Sequence, residues 1–166
     1  VGWQEASFPG LLGNVVAGRI ASKLDLGGTN TVVDSACGSS LSAIKAAVLE
    51  LTSGSADMVI SGGVDTFNDI FMYMCFSKTP AFSASGKTRP FDKDSDGILI
   101  AEGVALMVLK RLEDAVRDGD RIYSVIQAVG SSSDGKSRSV YQPLSKGQSK
   151  AIRQAHELAQ IRPEQV

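Results

Sequence analysis

Apolar residues change their period at one place in this chain. Thr31, Val32 and Val33 are β-branched and suit a covered, pleated surface, whereas Leu41, Ile44, Val48 and Leu51 recur at three- and four-residue steps, the period of one helical face. The pattern predicts a buried strand, a tight turn of small residues (Ala36, Gly38, Ser39, Ser40) and an amphipathic helix. Upstream, Asn14 is placed to cap a helix running to about Leu26, with Val15, Val16, Ile20 and Leu24 inward and Gly27-Gly28 as its stop. Downstream, Met58-Val59-Ile60 before Gly62-Gly63 predicts a second buried strand, so that strand, helix and strand form a right-handed parallel crossover. Phe67 and the run from Ile70 to Phe76 read as core, or as the lining of a channel for an apolar substrate if a nucleophile lies near.

Beyond a polar loop from Ser83 to Gly97, Ile98 to Leu109 is apolar enough for a strand buried on both faces. Lys110 to Asp118 predicts a short charged helix stopped by Gly119, and Ile122 to Val129 a further strand. Gly130 to Pro143 is a loop rich in glycine and serine. Lys146 to Gln160 predicts a helix with Ile152, Ala155 and Ala159 on one side, ended by Arg162-Pro163. The class is α/β, and 166 residues are enough for one domain with one core.

Composition narrows the possibilities. The chain is 43% hydrophobic and 21% charged with a net charge of −1, so no global field draws it to nucleic acid or an anionic membrane. No apolar run is long enough to span a bilayer, and VGWQEASFPG has neither part of a secretory signal. Two cysteines and one histidine indicate neither a disulfide framework nor a histidine-rich metal site, and a reducing, cytoplasmic setting fits best. The absence of an initiating Met and the stop at Val166 suggest a piece of something longer, truncated at both ends.

Cys37 stands where the period changes. Small neighbours permit a sharp elbow, and the helix that follows points unpaired backbone N–H groups back at the sulfur, so a thiol there should ionise more readily. From this stretch alone the two readings stay open: a small buried cysteine at a junction, or a nucleophile presented by a strained elbow. His156, the one histidine, has Gln154 and Glu157 as neighbours and reads as structural, so no base is evident for Cys37.

Two other matches compete. Residues 130–137, GSSSDGKS, satisfy a phosphate-loop expression and support a nucleotide-hydrolase reading, but such a loop needs a helix to begin at its Lys-Ser. Val140 and Tyr141 favour extended backbone and Pro143 follows closely, which argues against it. Residues 92–97, DKDSDG, imitate the start of a calcium loop, but position twelve is Gly103 rather than a bidentate Glu. That loop is expected to be solvated surface or to form a network with Arg89 and Lys93. A non-catalytic docking module, using Lys110, Arg111, Arg117 and Arg121, is a further alternative.

VDSACGSSLSAIKAA resembles the active-site cysteine segment of the β-ketoacyl synthase family, the ketosynthases of fatty acid and polyketide synthases. GNVVAGRIASKL before it, ADMVISGGVD after it, and the run from FSKTPAF to RIYSVI resemble further family segments in the same order. NDIFMYMCFSKTPAF and GSSSDGKSRSVYQP look most like the iterative enzymes that build polyunsaturated fatty acids or enediyne-type polyketides. The resemblance implies a thiolase-like layered αβαβα fold, of which residues 1–166 would be most of the first half and the start of the second. It implies an acyltransferase-type condensing enzyme: the cysteine takes an acyl group from a carrier-protein thioester, and the carbanion from decarboxylated malonyl thioester then attacks it.

On this resemblance Cys37 matches the nucleophile, and its own N–H would be one arm of the oxyanion hole. Phe76 matches an aromatic lining the acyl pocket. The loop Ser131 to Pro143 corresponds to a segment near the phosphopantetheine arm, with Ser133 and Asp134 as its substrate-binding candidates. No cofactor or metal is implied for the domain itself; the partners implied are an acyl carrier protein, neighbouring synthase domains and a second copy of the domain. Ser35, Gly38 and Ala101 depart from the usual Thr, Ser and Gly. The family's two histidines and its lysine belong to motifs beyond Val166, so the chain alone is expected to be inactive. Its retained cysteine separates it from the chain-length-factor relatives.

Overall fold

The structure, a computed structural model, describes residues 2–5, 7–136 and 142–166. Two compact units are present, Val1–Leu109 and Lys110–Val166.

The first unit is built on a helix, α3 (Ser39–Thr52), lying against a strand, β1 (Met58–Asp65). We number α1 as Ser7–Leu11 and α2 as Val16–Leu24 before it. The buried seam of α3 is Ile44, Ala47 and Leu51. Val48 is half-buried, but Leu41 is 63% exposed, so the seam starts a turn later than the apolar spacing predicts. Strand β1 does not stop at the glycines but continues through them to Asp65. There they admit two neighbours. A β-carbon on Gly62 would stand 2.1 Å from the Ala105 carbonyl oxygen, and one on Gly63 would stand 3.2 Å from the Ser40 β-carbon. Ala105 belongs to β2 (Gly103–Lys110), the strand paired with β1.

Several expected elements are shorter or absent. Residues 31–35 form no strand, and Val32 is 46% exposed, because β1 and β2 make up the only sheet among the described residues and offer that run no hydrogen-bonded neighbour. The expected crossover from it is likewise not formed. Of Ile98–Leu109 only the part from Gly103 is strand; Ile98 makes an isolated parallel bridge to Phe82. Nor is that strand covered on both faces: Val104 is 65% and Val108 63% exposed, since two strands and one helix cannot enclose both sides. The aromatic and Met cluster lies largely on α4 (Ile70–Lys78), whose first turn is capped by Asp69 Oδ1 accepting from the Met72 N–H at 3.1 Å. Phe67, Ile70, Phe71 and Met74 are exposed rather than core.

Helix α2 also differs from its prediction. Asn14 falls inside a 3-10 turn, Gly13–Val15, and does not cap the helix. The helix ends at Leu24 with Asp25 left-handed (φ 54°), before the glycine pair, and Ala21 rather than Leu24 is its buried residue.

In the second unit, α5 (Leu112–Asp118) ends at Gly119 (φ 72°) as its sequence predicts. Ile122–Val129 carries no strand pairing among the described residues, and Tyr123 is 83% exposed. Helix α6 (Ser145–Ala159) buries Gly147 and half-buries Ala155 and Ala159, but Ile152 lies outside that face. It ends on left-handed Gln160 (φ 55°); Arg162-Pro163 instead opens a 3-10 turn, Pro163–Gln165.

The close approach at Gly62 yields a graded prediction. Gly62→Ala forces its methyl onto the β2 backbone and should destabilise the intact protein by about 3 kcal/mol, whereas Gly103→Ala, with nothing within 4 Å, should cost under about 1 kcal/mol. Denaturant midpoints of the two variants check this; equal midpoints would contradict the packing described.

Candidate active site

Cys37 is the middle residue of a 3-10 turn, Ala36–Gly38, that runs directly into α3. It is exposed and carries a free thiol. The turn meets the helix through Gly38 (φ −89°, ψ 1°), and a serine β-carbon there would meet Ser35 Oγ at an ordinary 3.6 Å, so the departure at this position leaves the elbow intact.

The residue before the cysteine supplies the elbow's bend. Ala36 has φ 53°, a left-handed conformation that a β-carbon disfavours. Both sides of it are held: the Ala36 N–H donates to Asp34 Oδ1 at 3.0 Å, and its carbonyl accepts from Ser39 Oγ at 2.6 Å. The Ser35 N–H donates to Ser39 Oγ at 2.9 Å, and the Ser35 and Ser42 hydroxyls pair at 2.8 Å. Among the described residues the backbone N–H of Cys37 has no acceptor. Thus the strand half of the predicted junction is missing, while the elbow and the helix start that present the thiol are formed.

Phe76 is half-buried on α4, its ring centroid 6.0 Å from that of Phe82, which also lies 5.8 Å from Tyr73. Asn68, just before this helix, was not singled out by its sequence. Its N–H donates to Glu102 Oε1 at 3.0 Å and its side-chain amide to the Ala101 carbonyl at 2.8 Å, joining the approach to α4 to the start of β2. The alanine departure at 101 therefore leaves that carbonyl engaged. An Asn three residues past a glycine-containing strand is a weak signal, which only the fold makes legible.

Ser133 and Asp134 lie in the second unit, beside the first turns of α6. Asp134 Oδ2 accepts from the Leu144 N–H at 3.2 Å, and its carboxylate lies so close to Gly147 that a β-carbon there would overlap it. Ser133 Oγ accepts from Gly135 N–H at 3.3 Å, and Ser132 Oγ donates to the Gly147 carbonyl at 2.6 Å. The loop is thereby tied to a helix that begins at Ser145. Lys136 is in a bend; residues 137–141, which include Ser137 and the Val140 and Tyr141 expected to be extended, lie outside the described residues. His156 is half-buried, with Nδ1 3.0 Å from the Ile161 carbonyl, where it ties the end of α6 to the following turn.

The basic residues proposed for docking are largely compensated. Lys110 Nζ meets Asp118 at 2.5 Å and Asp120 at 2.7 Å, while Arg111 and Arg117 both hold Asp114, a buried carboxylate. Burial pushes the Asp114 carboxyl up, but hydrogen bonds from Arg111 and Arg117 outweigh it and leave the group below its ordinary range. Hydrogen bonds from Arg117 and Lys110 bring Asp118 down to about 2. Arg121 stacks 4.6 Å over the Tyr123 ring. Two open grooves, of about 880 Å³ along α2 and about 390 Å³ along α6, have no lining from Cys37.

These elements belong to a known class of enzyme domain. Residues 3–115 match the family model described as Beta-ketoacyl synthase, N-terminal domain, and residues 123–166 match Beta-ketoacyl synthase, C-terminal domain. The chain belongs to the β-ketoacyl synthase family, the condensing ketosynthases of polyketide and polyunsaturated fatty acid synthases. It is 51% identical over 161 residues to one subunit of the polyunsaturated fatty acid synthase of Thraustochytrium sp., a match covering 97% of this chain and 6% of that protein. It is 40% identical over 149 residues to one subunit of the phenolphthiocerol/phthiocerol polyketide synthase of Mycobacterium tuberculosis, covering 90% of this chain and 8% of that one.

Among solved structures it is similar to PfaC Keto synthase-Chain length factor (TM-score 0.88, 39% identity, 94% of this chain and 17% of that one). It is also similar to the ketosynthase from module 6 of the bacillaene synthase from Bacillus subtilis 168 (TM-score 0.85, 35% identity, 90% and 27%). The fold is accordingly the thiolase-like fold of ketosynthase domains, in part. The chain spans less than a tenth of the length of those two relatives and less than a third of those two solved chains.

The calcium-loop look-alike has a structural use. Asp94 N–H donates to Asp92 Oδ1 at 2.8 Å, Arg89 donates to the Asp94 carbonyl at 2.8 Å, and Asp96 accepts from Ser83 Oγ at 2.6 Å and the Ser85 N–H at 2.8 Å. The Ser83 hydroxyl, then the Ser85 N–H, lower the Asp96 carboxyl from 3.8 to about 2. A depressed carboxyl contributes stability that is complete above its unfolded value and is lost as pH falls through the folded one. Asp96→Asn should therefore destabilise the protein by a constant amount from neutral pH down to about 4, and the difference from the parent should shrink between 3.8 and about 2. Melting midpoints across that range check the sign; a difference that grows on acidification would contradict it.

Proposed function

We propose that the protein carrying this chain catalyses decarboxylative condensation on carrier-bound thioesters, with Cys37 as the acyl-accepting nucleophile. The observation that carries the reading is the elbow: an exposed thiol in a 3-10 turn entered through left-handed Ala36, at the start of a fourteen-residue helix, in a chain of the ketosynthase family. The Cys37 sulfur attacks the acyl thioester carbonyl, the carrier's thiol leaves with the proton, and an acyl-cysteine remains. Loss of carbon dioxide from a malonyl thioester leaves a carbanion that attacks the acyl-cysteine carbonyl. A carbon–carbon bond forms and the cysteine thiolate departs, giving a β-ketoacyl thioester two carbons longer. The Cys37 N–H, with no acceptor among the described residues, is suited to be one donor to the developing oxyanion.

Phe76 is assigned to the acyl pocket, and Ser133 and Asp134 to the neighbourhood of the phosphopantetheine arm. No cofactor is assigned to the domain. Its partners are an acyl carrier protein, the neighbouring domains of a multidomain synthase and a second copy of the domain; its setting is cytoplasmic, and no described helix is long and apolar enough to cross a membrane. The 51% identity to a polyunsaturated fatty acid synthase favours that class of product over other polyketides.

The test is turnover by the intact protein supplied with acyl- and malonyl-pantetheine thioesters. Cys37→Ala should lower the condensation rate by on the order of 10³-fold or more while leaving the melting midpoint in place. A variant that condenses at the parent rate would sink the nucleophile assignment, and binding of carrier protein without any turnover by the parent would favour the docking module.

A further inference from the structure

Ala36 is one of four non-glycine residues with positive φ among the described residues, and it alone precedes a free thiol. Its conformation fixes the direction in which the chain enters α3, and so where the Cys37 side chain and N–H point. The peptide N–H on one side of Ala36 is taken by the Asp34 carboxylate at 3.0 Å, and the carbonyl on its other side by the Ser39 hydroxyl at 2.6 Å. Ser39 in turn accepts from the Ser35 N–H at 2.9 Å, so the same hydroxyl closes the turn from both directions. Rotating Ala36 into the right-handed region would swing both peptide groups and break these bonds together.

We infer that Asp34 and Ser39 are positioning residues: their side chains clamp Ala36 in the left-handed conformation that aims the Cys37 thiol and N–H at a substrate carbonyl. The inference rests on the nucleophile reading of Cys37. Neither side chain takes part in the chemistry. An acceptor two residues before and a hydroxyl three residues after the strained position are what allow an alanine to occupy a site that glycine would fill without penalty.

Alkylation of the intact protein by iodoacetamide, followed by peptide mapping, reads the effect, with exposed Cys75 as the internal reference. Asp34→Ala should slow Cys37 labelling by on the order of tenfold, the scale of one lost hydrogen bond, with Cys75 unchanged. Asp34→Asn keeps an oxygen acceptor and should label at the parent rate. Ala36→Gly added to Asp34→Ala should restore the rate, because glycine adopts the bend without the clamp; a general loss of structure would not be rescued this way. Where Asp34→Ala does not fold, Ser39→Ala with the same glycine rescue carries the test. A parent in which Cys37 reacts no faster than Cys75 overturns the nucleophile reading and the clamp with it. A parent with fast Cys37 whose rate is unmoved by Asp34→Ala, or stays slow after the glycine rescue, overturns the clamp alone.

Discussion

The packing of α3 on β1 is the constraint from which the site follows. Ile44, Ala47 and Leu51 fix the helix's rotation, and Gly63, with no side chain, leaves the space in which Ser40 sits, 3.2 Å from where a β-carbon would stand. Once the first turn of α3 is held there, the chain that feeds it has few ways in. The route taken is a 3-10 turn entered through a left-handed alanine, and it leaves a cysteine exposed at the bend. A seam shifted by one residue would rotate that opening turn by about 100° and aim the thiol elsewhere.

The same economy of small residues recurs at the sheet. Gly62 lets the β2 backbone approach β1, and Asn68 then ties the start of β2 to the approach of α4, which carries Phe76. Side chains that resemble other functions are used structurally. Asp92 and Asp96 organise a corner rather than a calcium loop, and Asp134 holds the start of α6. Lys110, Arg111 and Arg117 are bound to carboxylates of their own unit.

What could be read from the sequence was local. Helices stand where the sequence places them, from Ser39, from Leu112 with its stop at Gly119, and from Ser145, although Leu41 and Ile152 fall off the buried faces and Gln160 rather than Arg162-Pro163 ends the last; the cysteine elbow follows from a run of small residues between two periods. Readings that depended on distant partners did less well. Thr31–Val33 and Ile122–Val129 have strand composition, but no neighbouring strand among the described residues pairs with them. The aromatic run before Phe76 is apolar enough for a core, yet most of it is exposed here, because composition records affinity for burial and not the presence of a cover. Ala36 carries no sequence signal for its left-handed bend, since glycine is the residue that ordinarily announces one. Asp34 and Ser39 were legible only once the backbone they hold was in place.

The family assignment rests on matches along most of the chain, whereas the chemistry rests on one thiol. Incubating the intact protein with an acyl-pantetheine thioester, quenching before condensation and locating the added mass by peptide sequencing addresses that thiol most directly. The account predicts a thioester-linked acyl group on Cys37. An acyl group found on another residue, or none on Cys37 under conditions in which the protein condenses substrate, would contradict it.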